Sequence, residues 1–235
     1  MKKLFTIALT FISLQVLGQN DLKQKGELTV SGMATNVGNR AQSVFNYNFT
    51  HNIKYKKGDV NLSSNYTLSY QSKIKFQDDI TFRIQPRVIT SDWSLFTFSQ
   101  YTRAYSRKLD NRLEAGFGGG HNIIKRDWFT LTGSYAILFD GSDYSDGSEI
   151  RAVRHSPRMQ FFGKVKNFSF FTEAFYQPKI SDLKSYNYRN TIEIKYSIND
   201  KLSLTSTYKR SYETYNIKNL NGLIENFTIG TTLSY

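Results

Sequence analysis

The chain has 235 residues, 31 Lys and Arg against 19 Asp and Glu, a formal charge of +12 and no cysteine. The missing thiols exclude disulfides, thiolate metal sites and a lipid anchor on cysteine. Beyond the N-terminal segment no stretch reaches 18 consecutive apolar residues, which excludes a transmembrane helix, while 15% aromatics and only three prolines suit a strand-rich protein.

Met1-Lys2-Lys3 followed by the apolar run 4–17, with Val16 and Gly18 as small residues before Gln19, reads as a secretory signal removed after residue 18. Its loss leaves +10 on the mature chain. In an exported protein with lysines scattered between strands, that balance points to anionic lipid head groups rather than nucleic acid. Residues 19–26 are expected to form a short periplasmic segment, and 27–235 a barrel. The mean hydropathy of −0.47 does not oppose this, because alternating strands average to mild polarity while presenting an apolar outer surface.

The pattern predicts about twelve strands: 27–35, 43–55, 59–71, 79–90, 93–105, 112–122, 127–139, 150–162, 167–177, 185–196, 200–212 and 224–235. In 43–55, Phe45, Tyr47, Phe49, Ile53 and Tyr55 share one face, opposite Asn46, Asn48, Thr50, Asn52 and Lys54. In 59–71, Val60, Leu62, Tyr66 and Leu68 oppose Asn61, Ser63, Asn65 and Thr67. In 185–196, Tyr188, Ile192, Ile194 and Tyr196 oppose Arg189, Thr191, Glu193 and Lys195. The last segment, Phe227-Thr-Ile-Gly-Thr-Thr-Leu-Ser-Tyr235, keeps the alternation and ends on an aromatic, as the closing strand of an outer-membrane barrel does. Pro86 and Pro157 fall inside predicted strands and imply bulges or shorter strands, since a closed barrel has no edge to accept a missing donor. Strand 167–177 carries Phe168, Phe170, Phe171 and Phe175 on both parities, so ten or fourteen strands also fit.

Tight connections at 56–59, 90–92, 125–127, 164–167 and 198–200 are expected to face the periplasm, and mostly longer loops around 36–42, 72–78, 106–111, 140–149, 178–184 and 213–223 the outside. Direction and parity then bring aromatics to the two interfaces: Tyr55, Trp93, Trp128, Phe168, Tyr196 and Tyr235 at the periplasmic ends, and Tyr70, Tyr105, Tyr186 and Tyr212 at the outer ends.

Gly38-Asn39 after the first strand, the run Tyr101-Thr-Arg-Ala-Tyr-Ser-Arg-Lys-Leu-Asp110 and Glu114-Ala-Gly-Phe-Gly-Gly-Gly120 resemble the YdiY-like family of salt-induced outer-membrane proteins, a domain of unknown function. Several acidic positions of that pattern are Lys or Asn here. The resemblance implies a barrel over about 27–235 and transfers no active site.

By parity Arg83, Arg87, Glu114, Arg154, Arg158, Glu173, Arg189, Glu193 and Lys195 should point into the lumen. They form either a weakly anion-selective pore lining or a structural lattice of charges paired across a confined space. Gly116, Gly118 and Gly120 share that inward face and mark either a gap or a bend beside a bulky partner. His155-Ser156 is the only pairing that suggests a lipid hydrolase, but adjacent strand residues point to opposite faces. Asp140, Asp143, Asp146 and Glu149 could offer oxygens to calcium from a flexible loop, though their spacing matches no known calcium loop. Arg40, Lys73, Lys75, Arg107, Lys108, Arg151, Lys179, Lys184 and Lys218 are expected on the outer rim, as solvated charge or as ligands of lipid phosphates.

The sequence therefore predicts an all-β, closed, antiparallel transmembrane barrel with both termini periplasmic. It is expected to be non-enzymatic and without cofactor or metal, with either a structural, envelope-stress role or limited passive permeation. Its expected partners are outer-membrane lipids and the assembly machinery that reads the strand ending in Tyr235. The alternatives are a lipid-modifying enzyme and a soluble lipocalin-like barrel with its apolar faces inside.

Overall fold

The computed structural model describes residues 23–37, 40–71, 74–214 and 223–235; the expected signal, Lys73 and Lys218 lie outside them, and the side chains of Arg40 and Lys75 are not described. Twelve antiparallel strands follow one another around a closed barrel: β1 (Lys23–Val37), β2 (Arg40–Tyr55), β3 (Gly58–Gln71), β4 (Ile74–Thr90), β5 (Trp93–Ala104), β6 (Leu109–Lys125), β7 (Phe129–Tyr144), β8 (Glu149–Val165), β9 (Phe168–Lys179), β10 (Asp182–Ser197), β11 (Leu202–Glu213) and β12 (Leu223–Ser234). Every strand pairs with its sequence neighbours, and β12 returns to β1. Closure leaves no unpaired edge, which is why a chain this rich in β-branched and aromatic residues can be all strand.

The alternation sorts the side chains. On β2, Asn46 is 4% exposed while its neighbours Phe45 and Tyr47 are 45% and 44% exposed. The polar rows look inward and the apolar rows outward, so the lipocalin-like arrangement is excluded for this chain. Inside, amides and hydroxyls bond across strands: Asn61 donates to Asn52 at 2.7 Å, Thr67 donates to Asn46 at 2.6 Å, and Asn65 donates to Asn48. Such pairs satisfy the polar groups that closure has removed from bulk water.

The closing seam uses the same device. Thr232 of β12 bonds through its hydroxyl to Thr205 of β11 at 2.7 Å and to Thr29 of β1 at 2.8 Å, and Ser31 donates to Thr228. Gly230 lies against the backbone of Val30 and Ser31, where a Cβ would collide with main chain. Gly26 and Tyr235 exchange two backbone hydrogen bonds of 3.0 Å, which tie the chain end to the first strand.

Three expectations change. The strands run 12–17 residues rather than 9–13, because the segments expected as outer loops fold largely into hairpin: β7 and β8 are joined by residues 145–148 and β9 and β10 by 180–181. Short turns therefore occur at both ends. Residues 23–26, assigned to a segment before the barrel, belong to β1 and pair with 51–54 of β2. Pro86 and Pro157 neither bulge nor shorten their strands, whereas the β9–β10 register shifts next to Pro178. Pairing of β4 with β5 lapses at Gln85 and Pro86 and resumes in unchanged register. Pairing of β8 with β9 lapses between Arg154–Lys179 and Arg158–Phe175, where Pro157 and Pro178 lie on facing strands. Each proline remains paired on its other side, with Val60, Tyr135 and Tyr186 respectively. A strand can carry a proline when only one of its two ladders loses the donor.

The side chains repair the β8–β9 lapse. Arg154, 1% exposed, donates through Nη1 to the Gln177 carbonyl at 3.2 Å, and Gln177 Nε2 donates to Ser156 Oγ at 3.2 Å.

Candidate functional site: the lumen

All nine charged residues expected in the lumen point inward, and the structure groups them in tiers along the barrel axis. The tier nearest the termini holds two pairs. Arg87 donates from Nε and Nη2 to both oxygens of Asp59, at 3.1 and 2.6 Å, and Lys195 meets Glu27 at 2.8 Å. Glu193 shares the inward face of β10 with Arg189 and Lys195.

The tier at the far end is a dense lattice. Arg112 of β6 crosses the lumen to Glu213 of β11, and Arg107, from the 3₁₀ turn Tyr105–Arg107, adds a second contact to the same carboxylate at 2.6 Å. Asp140, fully buried, lies between Arg154 at 2.8 Å and Arg112 at 3.5 Å. Ser142 and Tyr144 accept further hydrogen bonds from Arg112 at 2.7 and 3.0 Å, and Glu114 accepts one from Gln100 at 2.8 Å. Charges this deeply buried persist because each finds partners; an isolated one would be expensive.

Between the tiers lies a small cavity, continuous with solvent and bordered by Arg83, Arg107, Arg112, Arg158 and Arg189 against Glu114 and Glu213. Arg158 meets Glu173 at 3.2 Å; Gln160 donates to the same carboxylate at 2.7 Å. Three guanidinium groups stack over rings on the cavity wall: Arg83 over Phe98 at 4.8 Å, Arg189 over Phe175 at 5.1 Å and Arg158 over Phe96 at 5.8 Å. Stacking holds a guanidinium plane flat against the wall and leaves its N–H edge for other partners. Gly116 and Gly118 make room for this wall: Phe98 and Leu138 close over the first and Ala136 over the second. Gly116 thus sits beside bulky neighbours, whereas Gly118 admits the main chain of Tyr135 and Ala136, and Gly120 lies beside Ser94 and Ser134.

Parity located the nine residues but missed Arg107, Arg112, Asp140 and Glu213. Three of these have the inward parity of residues that were recognised. Asp140 and Glu213 lie one residue beyond the expected strands 127–139 and 200–212, and Arg112 opens the expected strand 112–122. Arg107, expected on the outer rim, instead folds inward from the 3₁₀ turn, a reversal that no strand periodicity encodes. The remaining rim charges differ in environment. Arg151 pairs with Asp143 and Glu149 across the β7–β8 hairpin.

The acidic loop residues separate. Asp140 points inward, Asp143 pairs with Arg151, and Asp146 accepts hydrogen bonds from the Ser148 hydroxyl and amide, which lower its carboxyl below the usual range. Among the described residues no group of three or more His, Asp or Glu converges as metal ligands would. His155 and Ser156 part as well: His155 bonds the Tyr135 hydroxyl on the outer face, and Ser156 meets Gln177 inside.

The aromatics expected at the interfaces stand on the outer face near strand ends. Trp93 stacks on His121 at 4.3 Å, Phe168 meets Tyr196 at 4.9 Å, and Trp128 packs against Phe129 at 4.3 Å. Tyr55 donates to the Arg87 carbonyl at 3.0 Å, and Tyr235 stacks with His51. At the far end Tyr186 contacts both Tyr176 and Tyr212, and Tyr70 is exposed.

The closed barrel with a polar interior resembles the outer-membrane porins. The NanC porin aligns with a TM-score of 0.54 and 11% identity, covering 88% of this chain and 98% of that one. The KdgM porin gives 0.47 and 9% identity over 90% and 99%, and the anion-selective porin from Comamonas acidovorans 0.41 and 8% over 92% and 99%. Comparison with curated proteins finds no match. The chain belongs to the family described as "Protein of unknown function, DUF481", which matches residues 30–221.

Proposed function

We propose that the protein is an outer-membrane barrel that permits limited passive passage of small anions and carries no catalytic function. The observation that carries the reading is the lining of the mid-lumen cavity, where five arginines face two glutamates. A cationic lining in a narrow space raises the local concentration of anions and repels cations. The apolar outer belt, from Leu95 near the start of β5 and Phe117 at the centre of β6 to the terminal Tyr235, suits a bilayer, with outer-membrane lipids as its surroundings and the strand ending in Tyr235 as the element read by the assembly machinery. A signal peptide removed after residue 18 would deliver the chain there.

A second reading has its own support. The Arg112–Glu213 contact spans the lumen, as a brace would in a purely structural barrel with an envelope-stress role. Planar-bilayer recording of the refolded protein separates the two. Channels whose reversal potential in a potassium chloride gradient follows chloride are expected. A correctly folded barrel that stays silent over many insertions would leave the brace.

A further inference from the structure

The charges around the cavity do not balance, and the imbalance lies in two particular side chains. Arg107 and Arg112 are spent on Glu213, and Arg158 on Glu173. Glu114 is bonded to neutral Gln100. Asp140 is shared by Arg112 and Arg154, so that six guanidinium groups stand against four carboxylates, which leaves two positive charges in excess. Arg189 forms no ion pair or hydrogen bond among the described residues and rests only on the Phe175 ring. Arg83 reaches neutral Gln85 at 2.8 Å through one Nη, and its Nε is buried without a partner.

An unpaired buried guanidinium is costly unless a ligand completes it. Here two guanidinium groups without a carboxylate partner border one cavity, each lying over an aromatic ring, and Arg83 keeps one Nη on Gln85. We propose that this cavity is a binding site for a phosphoryl dianion, inorganic phosphate or the terminal phosphate of a small phosphomonoester, held between Arg83 and Arg189. A charge of minus two matches the local excess, and the tetrahedral oxygens suit two forks that approach from different strands, β4 and β10. A monovalent ion such as chloride would cancel only half of the excess and could not accept paired N–H bonds. The inference rests on the anion-biased lumen but concerns binding rather than flow.

The test is equilibrium binding to the refolded barrel in detergent, with inorganic phosphate and glycerol 1-phosphate as separate probes in a chloride background. Saturable uptake of about one phosphate per barrel is expected. Arg83→Gln and Arg189→Gln should each weaken it about tenfold or more, the scale of one charged hydrogen-bonding fork. Arg83→Lys should also weaken it, because a point charge replaces the fork, whereas Arg87→Gln, next to the terminal mouth, should not. Electrophoretic heat-modifiability verifies that each variant has folded. Binding of phosphate alone identifies the free ion as the occupant, and binding of both probes identifies the phosphoryl group. Absence of saturable binding to the folded wild type, or equal binding by the Arg83→Gln/Arg189→Gln double variant, overturns the site. Conductance is read separately: chloride channels without phosphate binding sink the site and keep the passage, and binding without channels does the reverse.

Discussion

Arg112 Nη1 and Nη2 donate to the two oxygens of Glu213 at 2.7 and 3.0 Å, although they are 101 positions apart in sequence and four strands lie between theirs around the barrel. The contact braces opposite walls at the far end of the lumen. Removing the carboxylate in Glu213→Gln takes the ion pair from Arg107 and the nearer of two from Arg112 in a buried setting. A loss of about 3–5 kcal/mol is expected, the usual cost of breaking a buried pair from one side. Urea unfolding in detergent, followed by Trp93 and Trp128 fluorescence, measures it; a change within 1 kcal/mol would mean that water already solvates the brace.

The closing seam makes a contrast between two glycines. A Cβ at Gly230 would strike the carbonyl of Val30 and the Cα of Ser31, both main chain, whereas at Gly26 it would meet only the far end of the Tyr235 ring. Gly230→Ala should therefore impair barrel closure, and Gly26→Ala should be tolerated after the tyrosine swings aside. The yield of the compact, heat-modifiable form after refolding into vesicles compares them. Equal yields would contradict the register at the seam.

Phe117 occupies the middle of β6 and is 66% exposed on the outer face. In a bilayer, Phe117→Arg should cost about 2–4 kcal/mol, as cationic side chains do at the midplane of barrel strands. Folding titrations in lipid vesicles supply the number. A neutral result would argue that this face meets something other than hydrocarbon.

Ser156 and Gln177 touch across the lapse in the β8–β9 ladder, and the chain has no cysteine of its own. The double variant Ser156→Cys/Gln177→Cys should form a disulfide under mild oxidation, since facing positions on antiparallel neighbours lie within bridging distance. A mobility shift on non-reducing gels reports it. Failure to cross-link would mean that the two strands diverge where Pro157 and Pro178 remove their donors.

Strand number, closure and the inward and outward rows were legible in the residues, because alternation along a strand is a local property of the pleat. Tyr47 and Asn48 reveal their opposite faces from sequence order alone. A sequence cannot state which of a strand's two ladders loses its donor, and Pro86 and Pro157 each keep the other without a bulge. Arg112 and Glu213 were equally opaque, since nothing along the chain says that two strands will stand opposite each other across a barrel.

What the sequence by itself determined was the alternation, and with it a cylinder that is greasy outside and polar inside. Only the tertiary structure decided which of the inward charges find partners. Pairing across a lumen depends on the strand order, register and closure of all twelve strands together. Glu213 thus serves two arginines, while Arg83 and Arg189 face the cavity with none of the carboxylates to themselves.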